Sequence, residues 1–199
     1  MRIVLASGSP RRREILSSLG VRFDIITSDA DEQSEQTDPA LLVQELALRK
    51  GRATRELLKQ QGEWDEDTLI LAADTVVAAD NEILGKPRDD ADAARMLTLL
   101  AGSAHRVISG VALLLGDREL TAFDSTAVHV APMTPAEIHR YVQSGEPRDK
   151  AGAYAIQGLA SVYIEGIEGC YFNVVGLPVH CLDRSLRHFT GKSLTELSL

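Results

Sequence analysis

No run of eighteen apolar residues occurs in this chain, so nothing in it reads as a membrane span. The first polar turn begins at residue 7, too soon for the apolar core of a signal peptide. Cysteine is scarce: Cys170 and Cys181 supply neither a metal-binding pattern nor a disulfide framework. A single bridge between them is possible in principle, but two buried thiols in a cytoplasmic protein are the expectation. Positive charge is also in deficit. With 21 Lys and Arg against 29 Asp and Glu, the net charge of −8 argues against general affinity for nucleic-acid backbones. Internal repeats, low-complexity tracts and a linker that would mark a domain boundary are lacking as well.

What is present is ordinary in bulk and unusual in a few places. An apolar fraction of 44% and a charged fraction of 25% describe a globular protein, and 199 residues fit one domain or two closely packed lobes. The first unusual place is MRIVLASGSPRRREIL. Ile3 to Ala6 read as a short buried strand and Ser7-Gly8-Ser9 as a tight turn. Pro10 suits the first position of a helix, with Ser9 as N-cap. Arg11, Arg12 and Arg13 then fall in the first helical turn, where the macrodipole disfavours cations. Arginines there make sense if an anion also sits at the helix end, held by backbone N–H groups and guanidinium forks. A solvated basic turn is the plainer alternative.

Further along, Val21 to Thr27 reads as a second strand and Ser28 to Asp38 as an acid-rich loop. That loop is either solvated surface or, through Glu32, a face turned towards a cation. Asp38-Pro39 opens a long helix whose apolar stripe runs through Leu42, Leu46, Ala53 and Leu57. Lys50 lies on that stripe. It either snorkels to water or points inward with an anionic partner.

Thr68 to Ala79 reads as a central strand interrupted by Asp74-Thr75. A carboxylate buried there unpaired is costly, so such acids are usually paired, metal-bound or catalytic. Asp80-Asn81 is a hairpin turn into Glu82 to Leu84, and Gly85-Lys86-Pro87-Arg88 brings back two more cations. Helices follow over Asp89 to Leu100 and after the Thr134-Pro135-Ala136-Glu137 capping box, with long strands at 104–115 and 119–131 between them. His105 reads as a structural or surface histidine rather than a ligand. Asp149 to Gly158 is rich in small residues, which allow backbone to approach a ligand closely. Within it, Gln157 has donors and an acceptor with which to read the edge of a base. Residues 160–167 read as one more strand, and a final amphipathic helix ends near Phe189. Mixed elements and paired long strands predict an α/β fold with a mixed sheet and a cleft.

Taken together, L-A-S-G-S-P-R-R (5–12), A-D-T-V-V (73–77), G-K-P (85–87), D-K-A-G-A-Y-A-I-Q-G (149–158) and N-V-V-G-L-P (173–178) closely resemble the Maf family of nucleotide pyrophosphatases. The blocks occur in family order over nearly the whole chain, 1–199, taken as a single domain of two lobes. The resemblance implies a mixed twisted sheet with flanking helices and two lobes around a deep cleft, as in the inosine-triphosphate pyrophosphatases. It implies hydrolysis of a nucleoside triphosphate to the monophosphate and pyrophosphate, with Mg²⁺ or Mn²⁺, in the cytoplasm, by a homodimer that needs no nucleic acid or membrane.

Arg11, Thr75 and Gln157 match the branch acting on dTTP and UTP, whereas the 7-methyl-GTP branch has an aromatic, Gln and Glu there. The mechanism this implies uses Ser7, Ser9, Arg11, Arg12, Lys50 and Lys86 on the triphosphate and Gln157 and Thr75 on the pyrimidine. Asp74 is the general base and a metal ligand, with Glu32 as a second ligand. A pyrophosphatase for modified purine nucleotides, or a nucleotide-binding regulator of septum formation with incidental hydrolysis, are the competing readings.

Overall fold

The computed structural model describes residues 1–197. In it the strands β1 (Arg2–Leu5), β2 (Asp24–Ile25), β3 (Thr68–Ala79), β4 (Glu82–Leu84), β5 (Ala104–Leu115), β6 (Arg118–Val130) and β7 (Ile164–Glu168) form a mixed sheet. Their order is β2-β1-β3-β5-β6-β7, with β4 paired to β3. The helices are α1 (Pro10–Ser18), α2 (Pro39–Gln61), α3 (Asp90–Leu100), α4 (Pro135–Gln143), α5 (Tyr171–Val175) and α6 (Val179–Thr190). The α/β class and mixed sheet expected from sequence are both present. The chain folds as two compact units and passes from the first to the second within β3, between Asp74 and Thr75.

The first unit comprises residues 1–74, 109–124 and the stretch from Gly176 on. Its β1 pairs in parallel with both β2 and β3, in register Leu5 with Ile25 and Leu71. A core of Val4, Ala6, Ala47, Leu58, Ile70, Ala72, Ala112 and Leu114 lies against α2. The helix begins as expected: Asp38 caps it by accepting from the backbone N–H groups of Ala40 and Leu41. Its buried stripe, however, is Val43, Leu46, Ala47, Gly51, Thr54 and Leu58, about one residue round from the leucine stripe read from sequence.

Glycine explains the offset. A Cβ on Gly51 would lie 2.5 Å from Leu114 Cδ1, and one on Gly110 in β5 would lie 2.5 Å from the Val43 carbonyl. The face of α2 nearest the sheet is therefore the one with small residues. The β2 strand is shorter than expected, two residues instead of seven, and both are exposed.

The second unit comprises residues 75–108 and 125–175. Asp80 and Asn81 turn the β3–β4 hairpin with φ of 47° and 65°, the positive values a two-residue turn of this hand needs. The capping box at Thr134 forms with both of its reciprocal bonds. His105 is buried and hydrogen-bonded to the Tyr154 hydroxyl at 2.7 Å, the structural role expected of it. The strand expected at 160–167 is split: Leu159–Tyr163 is a 3-10 turn, and β7 begins only at Ile164. Cys170 and Cys181 form no disulfide; Cys181 is buried and Cys170 half-buried.

Candidate active site

The cluster in the first unit starts from β1, whose buried run Ile3 to Leu5 delivers Ser7 to the turn before α1. The Ser7 hydroxyl accepts from the Ser9 backbone N–H at 3.3 Å and from Arg12 Nη1 at 3.1 Å. Ser9 occupies the N-cap position of α1 with extended backbone and makes no capping bond of its own. Pro10 supplies the first helical residue, as its fixed φ favours. Arg12 also donates through Nε to the Gly176 carbonyl at 2.8 Å, so one guanidinium ties the turn to the start of the C-terminal stretch. Burial lowers the pKa of this guanidinium. The charges of Asp74 and Glu32 oppose that shift, and neighbouring Arg11 reinforces it. Arg11 is half-buried and Arg13 exposed, so the two differ in their access to the turn.

Asp74 lies in β3 and is 9% exposed. Its Oδ1 receives Lys50 Nζ at 2.6 Å, and the same ammonium reaches Glu32 Oε1 at 2.8 Å. Lys50 thus points inward and has two acids for partners. The snorkelling alternative fails, because the side chain is only 18% exposed.

Glu32 comes from the acid-rich loop, and this loop is attached to α2 rather than merely solvated. Arg49 Nη1 donates to the Gln33 carbonyl at 2.5 Å and the Asp31 carbonyl at 3.4 Å, on either side of Glu32. Ser34 donates to Glu45 at 3.1 Å, and Ser28 shares a hydrogen bond with Thr54 at 3.2 Å. Two successive turns of α2 therefore hold the loop that delivers Glu32, while Lys50 meets its carboxylate.

The remaining residues singled out from sequence belong to the second unit. Thr75 follows Asp74 in β3 and is half-buried; Lys86 and Gln157 are exposed on their loops. The segment carrying Gln157 is strongly shaped. Gly152 has φ of 69° and donates to the Gly85 carbonyl at 3.0 Å, which ties this segment to the Gly85-Lys86-Pro87 turn. A Cβ at Gly152 would lie 2.8 Å from Val77 Cγ2, so a residue with a side chain does not fit.

Asn173 of the last motif is fully buried and donates to the Val107 carbonyl at 2.9 Å and to Thr126 Oγ1 at 3.0 Å. Its place in the motif is thereby structural. Glu146, which carries no motif signal in the sequence, accepts from the Leu159 backbone N–H two residues after Gln157 and from the Tyr141 hydroxyl.

A divalent cation can be tested against the donor set. Among the described residues, no group of three or more His, Cys, Asp or Glu side chains could hold a metal ion. Two carboxylates nonetheless converge on one cationic centre, the Lys50 ammonium. Magnesium is commonly held by one or two carboxylates, with substrate phosphates and water completing its shell. Asp74 and Glu32 fit that pattern.

Strand order and helices define a mixed α/β protein built like the Ham1 protein of Staphylococcus aureus. That solved structure superposes with a TM-score of 0.51 over 82% of this chain and 80% of its own, at 13% identity. Sequence narrows the class. The family model for Maf-like proteins matches residues 2–189, and the chain belongs to the Maf family. The dTTP/UTP pyrophosphatase of Symbiobacterium thermophilum is 47% identical over 188 residues, 94% of this chain and 93% of the relative. That of Bacillus cereus is 43% identical over 189 residues, 94% and 95% of the two chains.

Proposed function

We propose that this protein hydrolyses dTTP and UTP, and modified pyrimidine nucleoside triphosphates, to the monophosphate and pyrophosphate. The observation that carries the proposal is the Lys50 ammonium between Asp74 and Glu32. It combines a base, a cation and a second acid in the unit that also holds the Ser7–Arg12 turn. Curated relatives that match over nearly their whole length carry the name dTTP/UTP pyrophosphatase.

In the proposed mechanism the triphosphate meets the N-terminus of α1. Ser7 accepts bonds from Ser9 and Arg12 and so turns its own proton outward, towards a phosphate oxygen. Arg11 and Arg12 oppose the charge of the phosphates, and Lys50 and Lys86 complete the neutralisation. Asp74 takes a proton from water as its oxygen bonds to the α-phosphorus. The bond from that phosphorus to the bridging oxygen breaks, and its electron pair leaves with pyrophosphate. A divalent cation bound by Asp74 and Glu32 would supply Lewis-acid stabilisation of the phosphates. Phosphoryl chemistry depends chiefly on such positioning and charge compensation. Gln157 and Thr75 select the base, with Arg11 as the third determinant, and residues 1–199 work as one functional domain.

The test is a panel of nucleotides offered to purified protein with Mg²⁺ or Mn²⁺, scored for pyrophosphate against orthophosphate. Pyrophosphate from dTTP and UTP is expected. Orthophosphate as the first product would refute attack at the α-phosphorus.

A further inference from the structure

We propose that Tyr141 and Glu146 are positioning residues for Gln157, and that they thereby set base selectivity from a distance. The inference rests on the reading of Gln157 as the residue that meets the base. Gln157 is exposed and lies in a turn rather than in a helix or strand, so its backbone needs fixing by other groups. The structure supplies them directly after it.

After Gln157, the Leu159 backbone N–H donates to Glu146 Oε2 at 3.0 Å, and the Ala160 N–H approaches Oε1 at 3.5 Å. The carboxylate is itself held, because the Tyr141 hydroxyl donates to Glu146 Oε1 at 2.9 Å. This bracket of one carboxylate and one phenol therefore fixes the backbone directly after Gln157.

Four further observations belong to the same device. The carboxylate caps the start of the Leu159–Tyr163 turn, where backbone donors would otherwise lack partners. Gly158 has φ of 122°, and a Cβ there would lie 2.5 Å from Glu146 Oε2. Glycine directly after Gln157 is thus what lets the carboxylate reach the backbone. The Gly158 carbonyl in turn accepts from Ser161 Oγ at 2.6 Å. On the other side, Tyr141 is buried on α4, so the bracket is anchored in the core of its unit. A charged acceptor with several donors is a strong restraint on a loop.

The experiment compares kcat and KM for dTTP and dCTP, which differ at the base edge, in Gln157→Ala, Glu146→Gln, Tyr141→Phe and the double variants. Glu146→Gln is expected to lower the dTTP preference about tenfold, the scale of one charge-assisted hydrogen bond, mainly through KM for dTTP. Tyr141→Phe, which keeps the ring in the core, should move the preference the same way. In the Gln157→Ala background neither change should alter the preference further. Hydrogen exchange at the Leu159 amide should speed up in Glu146→Gln with the thermal midpoint maintained.

If Gln157→Ala loses preference while Glu146→Gln and Tyr141→Phe keep it, the positioning role is wrong and the base-reading role stands. If Gln157→Ala itself keeps the preference, the base-reading role fails and this inference with it. Additive losses in the double variants would also overturn it, since they would mean that Glu146 acts independently of Gln157.

Discussion

Lys50 Nζ lies 2.6 Å from Asp74 Oδ1, joining the middle of α2 to the one carboxylate in an otherwise apolar strand. The pair accounts for two features at once: the acid is buried because it is paired, and the lysine turns inward because the acid is there. Asp74→Asn keeps an acceptor for Lys50 and removes the proposed base. Pyrophosphate release from dTTP should fall by about a hundredfold or more in kcat, with the thermal midpoint preserved. Near-normal turnover in this variant would remove Asp74 as general base.

Lys50→Met tests the overlap between lysine and metal. The ammonium occupies the point on which Asp74 and Glu32 converge, so it competes with a divalent cation there. Without it, Mn²⁺ titrated into nucleotide-free protein and followed by electron paramagnetic resonance should bind more tightly, while KM for dTTP rises. Unchanged or weaker Mn²⁺ binding would contradict the assignment of the two acids as ligands.

His105 should make the fold sensitive to mild acid. Burial, with a smaller contribution from the charge of His129, lowers its pKa from 6.5 to about 4. The unfolded chain then binds a proton that the native state refuses, so stability falls as pH drops from 6.5 towards 4. A shift of this size corresponds to on the order of 3 kcal/mol at the acid end. Denaturant midpoints for wild type and His105→Phe, compared across that range, should converge as pH falls. A difference independent of pH would show that the imidazole does not titrate between the two states.

Gly110→Ala should loosen the seat of α2. The added methyl would meet the backbone carbonyl of Val43 at 2.5 Å, where no side-chain rotation brings relief. A loss of about 1–3 kcal/mol is expected from overpacking of this kind, read as a lower thermal midpoint. A midpoint equal to wild type would mean that α2 shifts to accommodate it.

Much of this architecture is legible in the residues. β3 and its hairpin stand out because an apolar run ends in Asp80-Asn81, a pair suited to positive φ. The starts of α2 and α4 are marked by an Asp or Thr cap followed by Pro. The buried stripe of α2 lies about a residue from the one its large apolar side chains mark, because close packing selects Gly51 and Thr54. The strand expected at Val21 to Thr27 shrank to two exposed residues, where apolar character alone does not secure pairing. At the site, Lys50 and Asp74 were visible as polar residues in apolar surroundings. Tyr141 and Glu146 were not: a tyrosine at the end of an amphipathic helix and a glutamate before a proline look like ordinary core and turn. Only the folded chain puts Glu146 against residues 159–160 and Tyr141 against Glu146.

The bond from Arg12 to the Gly176 carbonyl spans 164 positions of sequence, within a unit assembled from three separate stretches of chain. During synthesis, the turn at Ser7 emerges first and must wait for nearly the whole polypeptide before its arginine finds that acceptor. A truncated or stalled nascent chain therefore lacks this anchor of the Ser7 turn, even with every cation of the N-terminal motif already made. The N-terminal turn is thus held in its final form only once residue 176 has been made.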